Sequence, residues 1–584
     1  MYRTHNCGEL RIEDIGKMVI LSGWIQKKRD LGSVIFIDLR DRYGITQLYF
    51  DNIINKELVE QARQLGREYV IKIEGKVRER ENKNPNLATG DIEILVNKLE
   101  ILNTSEVPPF TIEDNTDGGE EILMKYRYLD LRRTKLQKAL MLRYKMGVEI
   151  RHYLDSKGFM EIETPFLIKS TPEGARDFIV PSRLYRGSFY ALPQSPQLFK
   201  QLLMVAGYDR YFQIVKCFRD EDFRADRQPE FTQIDCELSF VNQEDILNIF
   251  EGLAKHLFKT IKGIEINEPF PRLTYNEALE KYGTDKPDLR FEMSINNLTY
   301  KLKGYGFKIF DSAEYIGGII IKNKADSYSR KKIEQLTEYI KRPQIGAKGL
   351  AWIKLDKENT LKSSINKFYS KEILFELVKD LKAKPNDIIF IISGDKRLSL
   401  KALGELRIKI ANDLNLIKDN IFKPLWIIDF PLFEWNEEEK RFKVVHHPFT
   451  SPKEEDIEFL EKDPSKVRAN AYDFVINGVE IGGGSIRIHK HDLQQKIFKV
   501  LGLSDEEINL KFDFLLEAFK YGAPPHGGIA FGFDRWVAIL NNSNSIKDVI
   551  AFPKNSAGKD LMLDAPSKVS QSQLDELGII IKKE

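Results

Sequence analysis

The N-terminal residues 1–105 alternate apolar and polar positions in short runs, the pattern of half-buried β-strands. Between the third and fourth of these runs, Leu58, Ala62 and Leu65 recur at helical spacing. The runs rich in β-branched and aromatic residues are Met18–Trp24, Val34–Arg40, Ile45–Phe50, Tyr69–Arg78 and Ile92–Leu102. Five strands with a helix between the third and fourth is the order of an OB-fold, a small β-barrel that often binds single-stranded nucleic acid. We therefore expect an OB-fold domain over residues 1–105, with a barrel used only for packing as the alternative.

Charged and aromatic positions on this barrel favour the binding role. Lys27, Lys28 and Arg29 form a local cationic cluster, and Phe36 lies on the following strand. A cationic patch beside a ring that can stack is suited to unpaired bases.

The rest of the chain divides by pattern and composition. A long helical pattern runs over Leu136–Lys157. Residues 289–418 are lysine-rich and have patterns of their own. The strand patterns there are Gly317–Lys322 and Ile388–Ser393, and the helical runs are Arg330–Ile340 and Lys371–Leu381. The expected divisions are a linker over 106–135, a catalytic domain over 136–288 and 419–563, an inserted α+β domain over 289–418, and a peripheral extension over 564–584.

Composition excludes several classes of protein. Of the 584 residues, 42% are hydrophobic and 30% are charged, which suits large cores and excludes a disordered or fibrous chain. The net charge of +2 means that any nucleic-acid site must be a local patch. Three distant cysteines argue against a disulfide framework and a structural zinc site. Apolar runs are too short to span a membrane and no signal peptide is visible, so we expect a soluble cytoplasmic protein without membrane contact.

The stretch Arg210–Phe240 carries the first chemical signal. Two strand patterns flank an eleven-residue loop, RDEDFRADRQP, in which the charges begin and end inside the strand patterns. Arginines at strand ends, such as Arg219, can hold phosphate oxygens bidentately, and Phe231 could stack a purine. The alternative is a hairpin loop that is charged because it is solvated.

Two further clusters complete a candidate nucleotide site. Asp473 and Glu480 lie seven residues apart across a predicted hairpin turn at Asn477-Gly478, and two such carboxylates can hold Mg²⁺ on a triphosphate. A glycine-rich turn with solvated acids explains them equally well. In Gly527–Leu540 a short strand turns into a helix that starts near Asp534, so Arg535 lies in the first turn, where phosphate is favoured. The sequence has no GxxxxGK[ST] and no GxGxxG after a strand, which excludes a P-loop and a Rossmann site.

At this point the motifs resemble a known family. Motif 1 of the class II aminoacyl-tRNA synthetases resembles GFMEIETP, motif 2 resembles FRDEDFRADRQPEFTQ, and motif 3 resembles GIAFGFDRW. The segments STPEGARDF, LPQSPQLFKQLL, HHPFTSP and GVEIGGGSIR resemble those of the bacterial aspartate enzymes within this class. The resemblance covers nearly the whole chain.

The resemblance implies a fold and a reaction. The fold is an OB-fold barrel followed by an α+β catalytic domain with an antiparallel sheet, interrupted by a bacterial-type inserted domain, in a homodimer formed partly through motif 1. The reaction uses ATP, Mg²⁺ and L-aspartate to form aspartyl-adenylate and pyrophosphate, after which the aspartyl group passes to the 3′ end of tRNA(Asp).

The resemblance also implies roles for individual residues. The catalytic arginines are Arg219, on the α-phosphate and the substrate carboxylate, and Arg535, on the γ-phosphate. The implied ATP contacts are Arg219, Asp220, Glu221, Gln228, Phe231, Glu480, Gly532, Phe533, Asp534 and Arg535. The implied Mg²⁺ ligands are Asp473 and Glu480. The implied aspartate contacts are Glu173, Ser195, Gln197, Lys200, Arg219, Asp235, His446, His447 and Arg487. The implied anticodon contacts are Arg29, Leu31, Phe36, Gln47 and Glu93.

Some of these positions have ordinary structural explanations. Lys200 lies in an apolar helical run and could be a lysine whose amine reaches solvent. His446 and His447 could be a structural loop pair. Leu31 follows the Arg-Asp pair of the barrel, where leucine resembles enzymes that discriminate against tRNA(Asn), and an incidental turn residue is the alternative.

Other functions also remain possible at this stage. A non-discriminating enzyme that charges both tRNA(Asp) and tRNA(Asn) is the closest alternative. An asparaginyl- or lysyl-tRNA synthetase is disfavoured by Lys200, Arg487 and the long insert. A non-enzymatic RNA-binding protein is disfavoured because Arg219, Glu480 and Arg535 are all present, and an enzyme that makes free asparagine would not need the barrel.

Overall fold

The computed structural model describes residues 1–170, 174–221 and 226–582, except for the side chains of 509–511. Within these ranges the chain forms two compact units. One contains residues 1–143 and 547–570, and the other contains residues 144–221, 226–546 and 571–582.

The first unit contains the expected barrel. Its strands close in the order β1-β2-β3-β5-β4, and the helix α1 lies between β3 and β4 in the chain, so the predicted OB-fold is confirmed. Apolar residues that alternate along each strand, such as Ile37, Leu48 and Ile73, fill its core. The bounds are β1 Met18–Asp30, β2 Val34–Arg40, β3 Ile45–Asp51, α1 Lys56–Arg63, β4 Val70–Glu79 and β5 Ile92–Asn103.

The predicted linker holds helices of its own. It contains α2 Glu120–Lys125 and α3 Arg127–Asp130, and the long helix α4 Thr134–Ser156 follows. The buried guanidinium of Arg127 donates to the backbone carbonyls of Lys547, Ile550 and Ala551 at 3.0, 2.9 and 2.9 Å. These contacts join α3 to the returning segment 547–570 within the first unit.

The second unit begins with short strands and two helices that frame a β-hairpin. The elements are β6 Met160–Glu161, β7 Ile179–Pro181, β8 Phe189–Ala191, α5 Gln197–Val205, β9 Arg210–Phe218, β10 Glu230–Ser239, α6 Gln243–Lys262, β11 Arg272–Thr274 and α7 Tyr275–Tyr282.

The region expected as an insertion builds a separate sheet of order β12-β13-β16-β14-β15. Its predicted strands pair antiparallel, with Ile319 opposite Phe390. The elements are β12 Asn296–Asn297, α8 Thr299–Leu302, α9 Lys308–Asp311, β13 Tyr315–Ile321, α10 Arg330–Ile340, β14 Ala351–Leu355, β15 Leu361–Ser363, α11 Lys371–Asp380, β16 Ile388–Gly394 and α12 Lys396–Asp413.

The chain then returns to the first sheet of this unit. The elements are β17 Pro424–Ile428, β18 Phe433–Asn436, β19 Arg441–Val444, α13 Phe459–Lys462, β20 Ala471–Ile476, β21 Val479–Ile486, α14 His491–Val500, α15 Asp505–Phe519, β22 His526–Gly532, α16 Phe533–Leu540 and α17 Gln571–Leu577.

Strands from before and after the inserted sheet form one eight-stranded sheet, in the order β11-β17-β20-β21-β22-β10-β9-β6. The interior pairs are antiparallel as expected, whereas the edge pairs β11–β17 and β6–β9 are parallel. The two halves of the chain therefore share one sheet, which brings their separate motifs to a common face. No helix in the described ranges is long and apolar enough to cross a membrane.

Candidate active site

A cleft of about 660 Å³ opens over β10, β20, β21 and β22 of the eight-stranded sheet. It collects most of the residues singled out in the sequence, although they come from segments up to several hundred positions apart. The expected residues that line it are Ser195, Gln197, Lys200, Arg219, Glu221, Gln228, Phe231, Asp235, His446, His447, Asp473, Glu480, Arg487, Gly532, Asp534 and Arg535.

Two buried carboxylates lie side by side at one end of the cleft. Asp235 and Glu237 are two positions apart on β10, so both side chains leave the same face of the sheet. Neither is exposed to solvent. Sequence reasoning missed Glu237, although a second acid two positions from Asp235, and so on the same face of the strand, was the available signal.

Lys200 supplies the first positive charge to this pair. Its Nζ lies 2.8 Å from Oδ1 of Asp235 and 3.3 Å from Oε2 of Glu237, and its side chain is 2% exposed. A lysine whose amine reaches water would place Nζ outside the protein. That interpretation is therefore wrong for Lys200, and the expected contact with Asp235 is present.

Arg487 supplies the second positive charge. Its Nε and Nη2 lie 2.9 and 3.2 Å from the two carboxylate oxygens of Glu237, and its Nη1 donates to Oγ of Ser485 at 2.8 Å. Buried charges need such pairing, because an unpaired charge is expensive to remove from water. Two cations and two carboxylates balance, and Oδ2 of Asp235 has no hydrogen-bond partner among the described atoms. This oxygen can accept from a ligand.

The two carboxylates differ in acidity. Burial raises the pKa of Asp235, and Lys200 opposes this only in part. Burial also acts to raise the pKa of Glu237, but Arg487 and Lys200 outweigh it and hold that pKa below its ordinary value. Glu237 is therefore an anion that keeps both cations in place.

Two adjacent histidines lie close to the cations. The ring of His446 lines the cleft and packs edge-on against Phe430 at 4.7 Å, and the ring of His447 stacks on Phe449 at 5.2 Å. Burial and the charge of Arg487 lower the pKa of His446 to about 4 and that of His447 to about 3. Both rings are neutral at physiological pH and can donate or accept one hydrogen bond at each nitrogen.

Glycines on the floor of the cleft make room for the carboxylates. A Cβ at Gly528 would lie 2.0 Å from Oε2 of Glu237, and a Cβ at Gly483 would lie 2.5 Å from Oδ1 of Asp473. Any side chain at either position would displace an acid from the site.

Arg219 marks the other side of the cleft, immediately after β9. Its guanidinium carbon lies 5.1 Å from the centroid of the Phe231 ring, and its buried Nε has no hydrogen-bond partner among the described atoms. A buried, unsatisfied arginine donor is suited to an anionic ligand. Glu221 and Arg227 of the same loop pair at 2.9 Å.

Arg535 lies in the first turn of α16, as predicted. Its Nη1 donates to the carbonyl of Glu480 at 3.3 Å, and its Nη2 lies 3.4 Å from Oδ2 of Asp226. The neighbouring Asp534 is buried and accepts from the backbone amide of Thr232 at 2.7 Å, which joins α16 to β10.

Two of the expected residues that the structure describes do not line the cleft. Phe533 is 4% exposed and packs in the interior, and Asp220 lies 3.8 Å from Arg176; neither lines the cleft as far as the described residues show. Glu173 lies outside the described residues.

The predicted hairpin carries a pair of acids that can hold a divalent cation. The turn Asn477-Gly478 joins β20 to β21, and both of its residues have the positive φ values of 54° and 83° that this tight turn requires. Burial and the charges of Glu480 and Asp285 raise the pKa of Asp473. Crowded carboxylate oxygens of this kind fit Mg²⁺, which takes one or two carboxylates together with substrate phosphates. Asp285, which also lines the cleft, was not identified from the sequence.

A second candidate surface lies on the barrel. Nε2 of Gln47 donates to Glu93 at 2.6 Å, and Oε1 of Gln47 accepts from Arg29 at 2.8 Å. The Arg29 guanidinium lies over Phe36 at 5.7 Å, whereas Leu31 is 67% exposed in the β1–β2 turn. Four of the five expected anticodon residues thus form one connected group, and Leu31 lies apart from it.

Comparison with known families adds independent evidence. A family model described as tRNA synthetases class II (D, K and N) matches residues 119–556, and one described as an OB-fold nucleic acid binding domain matches residues 19–102.

Curated relatives match the entire chain. It is 59% identical to the aspartate–tRNA ligase of Phocaeicola vulgatus over 582 residues, which are 100% of this chain and 99% of that protein. It is 60% identical to the aspartate–tRNA ligase of Bacteroides thetaiotaomicron over the same shares. The aspartate–tRNA ligase of Flavobacterium psychrophilum is 57% identical over 580 residues, 99% of each chain.

Solved structures share the fold. An asparaginyl-tRNA synthetase from Pyrococcus horikoshii complexed with asparaginyl-adenylate has a TM-score of 0.59 at 20% identity, covering 95% of this chain and 98% of that one. A putative aspartyl-tRNA synthetase from Leishmania major has a TM-score of 0.59 at 20% identity, covering 95% and 94%. At this identity the likeness concerns the fold alone.

Proposed function

We propose, from the premise that the chain belongs to the aspartate–tRNA ligases of the class II aminoacyl-tRNA synthetases, that the cleft over the eight-stranded sheet is where it activates aspartate. The enzyme activates L-aspartate with ATP, which gives aspartyl-adenylate and pyrophosphate, and transfers the aspartyl group to tRNA(Asp). The proposal concerns which residues perform these steps.

The buried pair Lys200 and Arg487 is the observation that carries the assignment. Both cations line the cleft and contact Glu237, at 3.3 Å and 2.9 Å from its oxygens. A substrate with a side-chain carboxylate can accept from both cations. Asparagine would place an amide NH₂ against these donors and leave buried charge unpaired, which strongly disfavours it.

The remaining contacts position the amino acid. The free Oδ2 of Asp235 is placed to accept from the substrate ammonium. The neutral rings of His446 and His447 close the solvent side of the cleft without repelling that ammonium. Glu173 remains a predicted ammonium contact.

Activation is a displacement at the α-phosphorus of ATP. The α-carboxylate oxygen of aspartate forms a bond to this phosphorus while the bond to the bridging oxygen of the β-phosphate breaks, and pyrophosphate leaves with that electron pair. Arg219 neutralises charge on the α-phosphate, Phe231 stacks on the adenine, and Arg535 binds the γ-phosphate. Such a step needs positioning and charge stabilisation more than covalent help from the protein.

Transfer completes the reaction. A terminal ribose hydroxyl of the tRNA forms an ester bond to the acyl carbon of the adenylate while the bond from that carbon to the phosphate oxygen breaks; AMP leaves, and its phosphate takes up the hydroxyl proton. We assign Glu221, Gln228 and the start of α16 at Gly532 to holding the nucleotide.

Asp473 and Glu480 are the residues that would hold Mg²⁺. When bound there, the ion would supply positive charge that offsets the negative charge of the ATP phosphates. The backbone carbonyl of Glu480 also accepts from Arg535, so this hairpin connects the metal position to the phosphate-binding arginine.

The barrel surface is proposed to bind the anticodon of tRNA(Asp). Phe36 would stack on a base, while Gln47 and Glu93 would contact base edges, as unpaired RNA is commonly recognised. The hydrogen bond between Gln47 and Glu93 restrains both side chains before RNA arrives, which reduces the entropy lost on binding.

We further propose that the enzyme discriminates against tRNA(Asn). The exposed Leu31 offers no hydrogen bond to an alternative anticodon base, whereas a histidine could act as donor or acceptor. Comparison of kcat/KM for tRNA(Asp) and tRNA(Asn) transcripts tests this, with Leu31→His expected to narrow the difference. Similar values in the wild type would make the enzyme non-discriminating.

The assembly and location belong to the same proposal. We expect a homodimer with Pro165 and its preceding strand near the interface, and a cytoplasmic location, where tRNA charging serves translation. A stable, active monomer in light scattering at micromolar concentration would contradict the dimer.

ATP–pyrophosphate exchange across a panel of amino acids tests the central assignment. Exchange should depend on L-aspartate and be far weaker with asparagine, glutamate and lysine. Aspartate-independent exchange, or equal exchange with asparagine, would contradict the roles given to Lys200 and Arg487.

A further inference from the structure

Residues 283–293, the junction segment, connect α7 of the eight-stranded sheet to the first strand of the inserted sheet. Asp285 of this segment lines the cleft. Asp288 packs beneath the hairpin that carries Asp473 and Glu480, since a Cβ at Gly478 would lie 3.3 Å from its Cβ. The junction segment is therefore one wall of the proposed metal and nucleotide end of the cleft.

Arg407 of α12, a helix of the inserted region, donates hydrogen bonds to the backbone of this segment. Among the described residues its hydrogen bonds all end on backbone carbonyls of the segment: Nε donates to Met293 at 3.1 Å, and Nη2 donates to Asp288 at 2.6 Å and Phe291 at 3.2 Å. Arg407 is 1% exposed, and its guanidinium carbon lies 4.9 and 4.2 Å from the ring centroids of Tyr282 and Phe291.

One of these carbonyls belongs to a strained residue. Met293 has a φ of 111°, in the region that favours glycine. A residue with a side chain stays in that region only when its surroundings hold it there. The bond from Nε of Arg407 to the Met293 carbonyl is part of that restraint.

The helices α7 and α12 also pack with their backbones in direct contact. A Cβ at Gly404 of α12 would lie 2.8 Å from the carbonyl oxygen of Tyr282, at the end of α7. A movement of α12 is therefore transmitted directly to the start of the junction segment.

We infer that Arg407 is a positioning residue through which α12 of the inserted sheet sets Asp285 against Asp473 and Glu480, and so controls how tightly the cleft binds ATP with its divalent cation. An apolar side chain could pack against the two rings, but it would leave the three carbonyls without these donors. Because the guanidinium of Arg407 donates to three separate carbonyls, it favours one backbone conformation of the junction segment. The inference rests on the proposed function, because it assigns ATP and Mg²⁺ to this end of the cleft.

The test separates ATP binding from aspartate binding. Arg407→Met and Arg407→Lys are compared with Lys409→Met, a control on the same helix whose amine pairs with Asp413 at the surface. Pyrophosphate exchange gives KM for ATP, KM for aspartate and the Mg²⁺ concentration at half-maximal rate. We expect KM for ATP and the Mg²⁺ midpoint to rise at least about fivefold in Arg407→Met, with KM for aspartate within about twofold, as for loss of geometry at one end of the cleft. The control should match the wild type.

A second variant makes the result independent of folding. Asp285→Asn should reproduce the rise in KM for ATP and in the Mg²⁺ midpoint. Combining it with Arg407→Met should add little, because both act through one element. The inference is overturned if Asp285→Asn leaves both values unchanged, if the two effects multiply, or if Arg407→Met lowers only the melting temperature. Wild-type exchange with aspartate is the separate check of the proposed function.

Discussion

Replacing Lys200 by Met tests the charge balance of the amino acid pocket. The change removes the ammonium group that donates to Asp235 Oδ1 and leaves this carboxylate fully buried. At an effective dielectric constant of about 20, the 2.8 Å contact corresponds to about 6 kcal/mol of Coulomb attraction. Desolvation of the ammonium offsets part of this. We therefore expect Lys200→Met to lower the free energy of unfolding by about 3–5 kcal/mol.

The same variant should lose aspartate activation more than ATP binding. Losing one of two charge-assisted contacts to the substrate carboxylate is expected to lower kcat/KM for aspartate by about 100-fold, or about 2.7 kcal/mol, with KM for ATP nearly unchanged. Urea denaturation and pyrophosphate exchange on the same preparation measure the two effects.

A double variant separates stability from catalysis. Lys200→Met with Asp235→Asn removes the unpaired charge, so it should recover part of the lost stability without recovering aspartate activation. The reasoning is refuted if the free energy of unfolding of Lys200→Met lies within about 1 kcal/mol of the wild-type value and its KM for aspartate is unchanged. It is also refuted if the double variant regains activity together with stability.

Three further changes test other parts of the molecule. Arg219→Ala should reduce pyrophosphate exchange by more than about 100-fold, because a charge-assisted contact to the reacting phosphate contributes on the order of 3 kcal/mol; unchanged exchange would remove Arg219 from the reaction. In the folded protein the pKa of His447 is lowered to about 3. As the pH falls below about 6.5 the unfolded chain binds a proton at this residue and the folded protein does not, so the free energy of unfolding falls by up to about 1.4 kcal/mol per pH unit. Urea denaturation from pH 7 to 5 should show a smaller loss of this free energy in His447→Gln, and an identical slope against pH would contradict this. Phe36→Ala should raise KM for tRNA(Asp) about tenfold, since base stacking contributes about 1–3 kcal/mol, while exchange without tRNA stays at the wild-type rate; an unchanged KM for tRNA would show that the ring does not stack.

Local patterns were sufficient to predict the barrel and the hairpins. Strand alternation identified β1 to β5, because each of these strands has one face in the core. The pair Asn477-Gly478 predicted the turn between β20 and β21, since few other residues adopt positive φ at both positions.

Contacts between distant segments could not be predicted in the same way. Glu237 and Arg487 are 250 positions apart, and no local pattern shows that the strand acid faces that arginine. Arg127 lies in a segment with linker composition, yet it is buried because carbonyls more than 400 positions later accept from it. Phe533 matches a motif position of the family, but whether its ring faces the cleft or the core depends on the rotation of α16.

The glycines of the cleft floor restrict how the specificity of this scaffold can be changed in the laboratory. At Gly528 and Gly483 even a methyl group would occupy the place of a carboxylate oxygen, so randomising the floor would yield mostly inactive proteins. A directed-evolution library for a new amino acid should instead vary the walls, at Gln197 on α5 and at His446 in the loop above. The floor would then be kept as the invariant surface on which each new pocket is built.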